Sequence, residues 1–331
     1  MPFKTPKFWY KNNSLIKTIL SPLSVLYNTL HLINTSSKKE KTINIPVICI
    51  GNIIAGGGGK TPTAIAIHRL IKDEHLFSNP CFLTRGYGAQ NKTTRVIEDH
   101  EPIHDTGDEP RILSTHCKTI ISPNRYDGAK LAQNQNHDLI IMDDGFQNKH
   151  LKKDISFLVI DGSIGFGNKN TLPAGPLREP LTKGLQKADA IIFIGKDNTK
   201  SKALIPNQIP VFDAIINANT QNLDKSENYI AFCGLAHPSK FFKTLEKEKI
   251  NIVEKHEFAD HHKYTNRKLE KLLRYAKKKK STLITTEKDM ARIPKKYKDQ
   301  IKTLPINLVF NNENDIHDFL KKNLAQYISS P

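Results

Sequence analysis

The chain has 331 residues, of which 38% are hydrophobic and 25% charged, and a formal net charge of +17 at pH 7. This length and composition exclude a disordered, collagenous or small disulfide-stapled class and allow one large or two ordinary domains with a sizeable core. The charge favours anionic partners, namely lipid, nucleic acid or a phosphorylated substrate, without choosing among them.

In chain order, the first predicted element is an amphipathic helical stretch over residues 15–33. Leu15, Ile16, Ile19, Leu20, Leu23, Leu26, Tyr27 and Leu30 recur at helical spacing. Ser21-Pro22 reads as an N-cap followed by a first-turn proline, which predicts two short helices. Lys4, Lys7, Lys11 and Lys17 precede or enter the stretch, Lys38, Lys39 and Lys41 follow it, and Phe8-Trp9-Tyr10 supplies aromatics. Such a segment suits the interface of an anionic membrane, or else packs its apolar face on the domain. No run of 18 or more strongly apolar residues occurs, and the N-terminus lacks a secretory-signal pattern. Cys49, Cys81, Cys117 and Cys233 are scattered, so neither a zinc site nor a disulfide framework is expected, and a reducing cytoplasm is.

Residues 46–63 read as an apolar strand running into a glycine-rich turn that ends in Lys60-Thr61 and a helix. This is a phosphate cradle: glycines let backbone N–H groups converge on phosphate oxygens, a lysine neutralises charge, and the threonine hydroxyl can ligate Mg²⁺. The strict G-x-x-x-x-G-K-[ST] pattern would need glycine at position 54, where this chain has Ile54. Further short apolar runs follow at Cys81-Phe82-Leu83, Ile120-Ile121, Leu139 to Met142, Phe157 to Ile160 and Ala190 to Ile194, interleaved with helix-like segments. Continuously apolar strands alternating with helices predict an α/β fold of P-loop NTPase type, a mainly parallel sheet flanked by helices. The polar stretch from Ala218 to Asn228 is the linker candidate, and strands and helices beyond it predict a second, smaller α/β domain. The expected division is residues 1–40 as a membrane-associating segment, 41–220 as a P-loop kinase domain and 221–331 as the smaller domain.

Several residues are candidates for chemistry. Asp143-Asp144-Gly145 ends an apolar strand, the arrangement that holds Mg²⁺ beside a P-loop. Gly107-Asp108-Glu109-Pro110 opens a helix with carboxylates that can serve as a base or simply cap the helix. Asn168 to Pro180 is a proline-rich loop in which Arg178 is either a phosphate clamp or a partner of a nearby acid. Asp260-His261-His262 offers a histidine to tune a carboxylate, or loop polar residues.

Taken together these segments resemble the tetraacyldisaccharide 4′-kinase family of lipid A biosynthesis. The resemblance runs through most of the chain and rests on Gly51-Asn52 with Gly56 to Pro62, Arg85-Gly86-Tyr87-Gly88, Gly107-Asp108-Glu109-Pro110, Asp143-Asp144-Gly145-Phe146-Gln147, Leu172 to Glu179, Asp260-His261-His262 and Thr286-Glu287-Lys288-Asp289. That family shares the irregular P-loop. Gly58, Thr84 and Asn148 depart from its pattern, which has Thr or Ser, Ser, and His there.

The resemblance implies ATP- and Mg²⁺-dependent phosphorylation of the 4′-hydroxyl of tetraacyldisaccharide 1-phosphate, by a peripheral or monotopic protein at the cytoplasmic face of the inner membrane. It implies Asp108 as base with His261 as its partner, Lys60 and Arg178 on phosphate charge, and Thr61, Asp143 and Asp144 for Mg²⁺. Asn52, Gly56, Gly57, Gly58, Gly59, Lys60, Thr61 and Pro62 would form the nucleotide cradle. The expected partners are the acylated glucosamine disaccharide lipid and an anionic membrane surface, with no nucleic acid and no obligate protein partner. The alternative is a P-loop kinase or ATPase acting on a soluble or nucleic-acid substrate.

Overall fold

The alternation of apolar runs and helical segments resolves into two β-sheets, each covered by helices on both faces. The computed structural model describes residues 6–11, 14–36, 40–98 and 100–328, so that Lys4, Lys38 and Lys39 lie outside the described residues. The chain divides into a larger unit of Pro6–Ile216 with Leu308–Pro331 and a smaller unit of Asn217–Asn307.

Strands of the larger unit are β1 (Val47–Gly51), β2 (Pro80–Thr84), β3 (Arg95–Val96), β4 (Thr119–Ile121), β5 (Leu139–Asp143), β6 (Ile155–Asp161), β7 (Ala190–Ile194) and β8 (Val211–Ala218). The smaller unit contributes β9 (Tyr229–Cys233), β10 (Ile252–Glu257), β11 (Thr282–Thr286) and β12 (Ile301–Leu304), and β13 (Ile306–Phe310) returns to the large sheet. The order of the large sheet is β13-β8-β7-β6-β1-β5-β2-β4-β3. From β8 to β4 neighbouring strands pair in parallel, and β3 pairs antiparallel at the edge. The central strand β1 lies between β5 and β6, so the loop that leaves its C-terminal end opens beside the end of β5, as a parallel α/β sheet places its ligand sites.

Both faces of these strands are apolar because both are covered. Ile48 and Ile50 pack with Ala64, Ile67, Leu70 and Ile71 of the helix Lys60–Asp73, whereas Val47 and Cys49 pack on the opposite side with Ala129 and Ala132 of the helix Arg125–Asn134. Period-2 alternation between two buried environments is what a continuous apolar run encodes. The smaller unit repeats the plan with four parallel strands in the order β10-β9-β11-β12. Tyr229, Ala231 and Cys233 face the helix Pro238–Lys247, and Ile230 and Phe232 face the helix Asn266–Lys278.

Three sequence expectations are corrected here. The smaller unit stops at Asn307, because Ile316, Leu320 and Leu324 of the last helix, Glu313–Ile328, are fully buried in the core of the larger unit. Residues 6–36 also belong to the larger unit rather than standing apart. They include a single helix, Leu15–Ser36, that continues through Pro22 instead of breaking into two. An interior proline costs about 3 kcal/mol of helix stability. The helix tolerates it because its far side is pinned: the Ser24 hydroxyl donates to Thr171 O at 2.9 Å and accepts from Ala174 N at 3.1 Å, and Tyr27 donates to Arg178 O at 3.1 Å.

The burial of the last helix predicts the outcome of a cavity mutation. Leu320→Ala should destabilise the protein by about 2–5 kcal/mol in urea unfolding of the full chain. A loss below about 0.5 kcal/mol, typical of a surface site, would contradict this placement.

Candidate active site

The glycine-rich loop begins where β1 ends. Gly59 caps the helix Lys60–Asp73 with φ +82°, a left-handed conformation that glycine adopts at no steric cost, and a Cβ there would stand 2.4 Å from Ile194 Cδ1. Lys60, Thr61 and Pro62 form the first helical turn, where a proline sacrifices no intrahelical bond. Asn52 is completely buried, yet neither polar atom of its carboxamide has a partner. Its Nδ2 lies against Gly58, where a Cβ would stand only 2.5 Å away. Leaving such a group unpaired costs about 1–3 kcal/mol, which a phosphate or another polar ligand in the loop would recover. The same contact gives a reason for Gly58, since a side chain there must displace Asn52.

Asp143 is the last residue of β5 and sits beside Ile50 of β1 in register. Its Oδ2 accepts a 3.0 Å hydrogen bond from the Thr61 hydroxyl, while Oδ1 is buried without a partner. Burial, reinforced by the negative charge of Glu109 and opposed by Lys60, pushes its pKa up to about 7. Asp144, one residue on, has φ +52° and meets a different environment. Burial pushes its carboxyl up, but Lys60, Arg178 and Arg125 outweigh this and hold it below the ordinary value. Its Oδ1 lies 3.7 Å from Lys60 Nζ and 3.2 Å from Arg178 Nη1.

Arg178 reaches this position because its loop is joined to the P-loop through the backbone. Arg178 N donates to Ile53 O at 2.7 Å, Ala55 N donates to Pro176 O at 2.8 Å, and Ile54 forms an antiparallel bridge with Leu177. Ile54 and Leu177 are both buried in the same core. The position where a generic P-loop has glycine is therefore the seam between the two loops. Gln147 closes the arrangement: its Nε2 donates to Asn52 O at 2.8 Å and to Glu179 Oε1 at 3.3 Å, and its Oε1 accepts from Arg178 Nη1 at 3.4 Å. Glu179, almost fully buried, is also ion-paired with Lys187.

Asp108 opens the helix Asp108–Ser114 and is half-buried. The preceding Gly107 has φ +86°, and a Cβ there would stand 2.5 Å from Tyr87 O, so the Arg85 to Gly88 loop packs against this helix start. The structure thus collects the P-loop residues, Lys60, Thr61, Asp143, Asp144, Arg178 and Asp108 in the larger unit, whereas His261 belongs to the smaller one. Sequence reasoning did not single out Glu109, which acts electrostatically on Asp143, or the buried Arg125, which acts on Asp144. Glu109 had a signal in its place beside Asp108. Arg125 had none beyond following the N-cap Asn124.

An unpaired buried carboxylate oxygen and a threonine hydroxyl are hard oxygen donors, and they fit Mg²⁺. Among the described residues no group of three or more His, Cys, Asp or Glu side chains stands ready to hold a metal ion.

Comparison with known proteins finds one family by sequence and by structure. A family model described as tetraacyldisaccharide-1-P 4′-kinase matches residues 16–325. The tetraacyldisaccharide 4′-kinase of Paramagnetospirillum magneticum is 39% identical over 308 residues, covering 92% of this chain and 94% of that protein. That of Rhodopseudomonas palustris strain HaA2 is 37% identical over 299 residues, covering 88% and 87%. The crystal structure of LpxK from Aquifex aeolicus, in complex with ATP, superposes with a TM-score of 0.78 at 26% identity over 95% of this chain and 100% of that one.

The raised pKa of Asp143 has a measurable consequence. Its folded value of about 7 exceeds the ordinary 3.8, so the native state holds this proton more tightly than the unfolded chain. The resulting stabilisation is present at low pH and lost as pH rises from about 4 through about 7, up to about 4 kcal/mol in all. In chelator and without nucleotide, Asp143→Asn should melt above the parent protein at pH 8, with a gap that shrinks toward pH 5. A gap that is constant or reversed would contradict the burial argument.

Proposed function

The chain belongs to the tetraacyldisaccharide-1-P 4′-kinase family, and from that premise we propose that it transfers the γ-phosphoryl group of ATP to the 4′-hydroxyl of tetraacyldisaccharide 1-phosphate. The product is the 4′-phosphorylated lipid A precursor, lipid IVA, with ADP released. The observation that carries this reading is the convergence of Lys60, Thr61, Asp143, Asp144 and Arg178 at one end of a parallel sheet, where β1 runs into a glycine loop and helix N-terminus.

Phosphoryl transfer needs positioning and charge stabilisation more than covalent chemistry. In this reading Lys60 and Arg178, which share Asp144 before substrate arrives, turn to the phosphate oxygens. The buried carboxamide of Asn52 and the backbone of Gly56, Gly57, Gly58 and Gly59 line the cradle. Asp143 with Thr61 and Asp144 would hold Mg²⁺, which supplies neutralisation of the developing phosphate charge. Asp108 accepts the proton of the attacking 4′-hydroxyl as the new P–O bond forms and the bond to ADP breaks. His261 takes part in turnover in this reading.

The N-terminal helix supports a membrane-surface location. Leu15, Ile16, Ile19, Leu23, Val25, Leu26 and Leu30 are each more than half exposed on a helix whose Ser24 and Tyr27 dock on the larger unit. So large an apolar strip left uncovered marks an interaction surface. Among the described residues no helix is long and apolar enough to cross a membrane. A helix lying in the headgroup region of an anionic inner leaflet, at the cytoplasmic face, fits both facts, the net charge of +17 and a lipid acceptor.

The decisive assay supplies ATP, Mg²⁺ and the detergent-dispersed disaccharide 1-phosphate and looks for the 4′-phosphorylated product by mass spectrometry. Absence of product from folded, ATP-binding protein would end this reading. Asp108→Ala should lower kcat by about 10²- to 10⁴-fold with ATP affinity retained, as expected of a base acting on the acceptor. His261→Ala should be milder, and a large loss of ATP affinity in Asp108→Ala would contradict the role. Replacing Ile19, Leu23 and Leu26 together by serine keeps the Ser24 and Tyr27 anchors. It should abolish binding to anionic vesicles while turnover of detergent-dispersed substrate persists, and unchanged vesicle binding would refute the surface role.

A further inference from the structure

The smaller unit holds a buried polar chain that accounts for the Thr286-Glu287-Lys288-Asp289 motif. Asp289 is wholly buried yet fully engaged: it accepts from Gly234 N at 3.0 Å, from the Tyr264 hydroxyl at 3.0 Å and from the Thr286 hydroxyl at 2.8 Å. Thr286 in turn caps the short helix Glu287–Ala291 by accepting from Asp289 N. The charge of Asp289 is matched by Arg292, whose Nη1 lies 3.0 Å from Asp289 Oδ1 and also donates to Gly234 O at 3.2 Å. That side chain is only 6% exposed, so its guanidinium is fixed in plane and direction. Its other terminal nitrogen, Nη2, meets His261 Nδ1 at 3.3 Å.

This last contact has one chemical reading. A guanidinium carries five N–H donors, has no acceptor and does not lose its proton in proteins. The imidazole Nδ1 must therefore offer its lone pair, and the ring hydrogen sits on Nε2, the nitrogen 3.9 Å from Asp260 Oδ2. The backbone serves the same end. His261 adopts φ +56°, uncommon for a residue with a side chain, and Asp260 Oδ1 accepts from His261 N at 3.0 Å. The neighbouring histidine is used differently: the His262 ring stacks on Phe258 at 4.8 Å and meets Tyr264 edge-on at 5.0 Å, as a half-buried packing group.

We propose that Arg292, anchored by Asp289, is a positioning residue that holds the His261 ring in one orientation and one tautomer, with Nδ1 as acceptor and the ring hydrogen on Nε2. The motif from Thr286 to Asp289 thereby acts through Arg292 on His261. This assignment rests on the reading of His261 as a participant in turnover, but its geometry is testable apart from that reading.

The test uses the full chain labelled with ¹⁵N-histidine and long-range ¹H–¹⁵N correlation spectra, the His261 ring being identified by its loss in His261→Gln. The expected result is a single Nε2–H tautomer, with the Nδ1 resonance displaced from that of a free acceptor. In Arg292→Lys, which keeps the positive charge beside Asp289 but not the two-pronged reach, Nδ1 should return toward the free position while the rings of His68 and His137 in the larger unit stay unchanged. The same variant should lose about tenfold in kcat with the KM for ATP unchanged, the scale of loss when the partner orienting an imidazole is removed. An Nδ1–H tautomer in the parent protein, or His261 resonances unmoved in folded Arg292→Lys, would overturn the proposal. If His261→Ala retains full turnover while the spectra behave as expected, the catalytic reading of His261 fails and the Arg292 assignment stands.

Discussion

The seam between residues 53–55 and 176–178 is the constraint on which the site depends. Two backbone hydrogen bonds and the Ile54–Leu177 bridge join the rim of the glycine loop to the proline-rich loop. An arginine on a free loop would lose on the order of 2 kcal/mol of side-chain entropy each time it engaged a phosphate. Here the backbone on either side of Arg178 is already fixed, and Gln147 and Asp144 orient its guanidinium. The departure from the generic P-loop pattern is thus structural: a buried isoleucine at position 54 occupies the seam and ties the glycine loop to the loop of Arg178.

Charge is distributed around that seam with a clear division. Asp144 stands between Lys60 and Arg178 and stays ionised, whereas Asp143, one residue earlier, is buried at the end of β5 with a single hydroxyl partner. Successive residues at the end of a strand point in opposite directions, so adjacent carboxylates fall into environments that push their titration apart. The unsatisfied Asp143 oxygen and the unsatisfied Asn52 amide lie on the same loop–strand junction. Both make the ligand-free protein less stable than it need be, as expected where a binding site is preorganised before its ligand arrives.

The proline-rich loop also receives the N-terminal segment. Trp9 Nε1 donates to Pro173 O at 3.0 Å, Asn168 N donates to Trp9 O at 2.7 Å, and Ser24 and Tyr27 bond to Thr171 and Arg178. The helix that presents an apolar strip is therefore two residues removed, through Tyr27 and the Arg178 carbonyl, from the guanidinium beside Asp144. The helix with its bare apolar strip and the arginine beside Asp144 thus bond to one and the same loop.

Much of this was legible from local pattern. The glycine loop ending in Lys60-Thr61, the strand ending in Asp143-Asp144 and the doubly apolar strands follow from short-range chemistry and period, and all three stand in the structure as read. What pattern misplaced depends on long-range contact. The run through Leu320 is amphipathic wherever it docks, so only packing assigns it to the larger unit. Pro22 is a helix breaker by local rules, and bonds from Ser24 and Tyr27 to a loop some 150 residues away in sequence carry the helix through it. Asp289 and Arg292 could be read as ordinary helix charges until folding buried the pair and set Arg292 beside His261. The sequence by itself determined the family and with it the reaction class, because the motifs that carry the resemblance are short runs whose residues and spacing are legible without folding. The tertiary structure alone decided which carboxylate is held charged, which backbone carries Arg178 to Asp144, and which face of the first helix is left bare, because each depends on desolvation and on partners that the chain brings together only by folding.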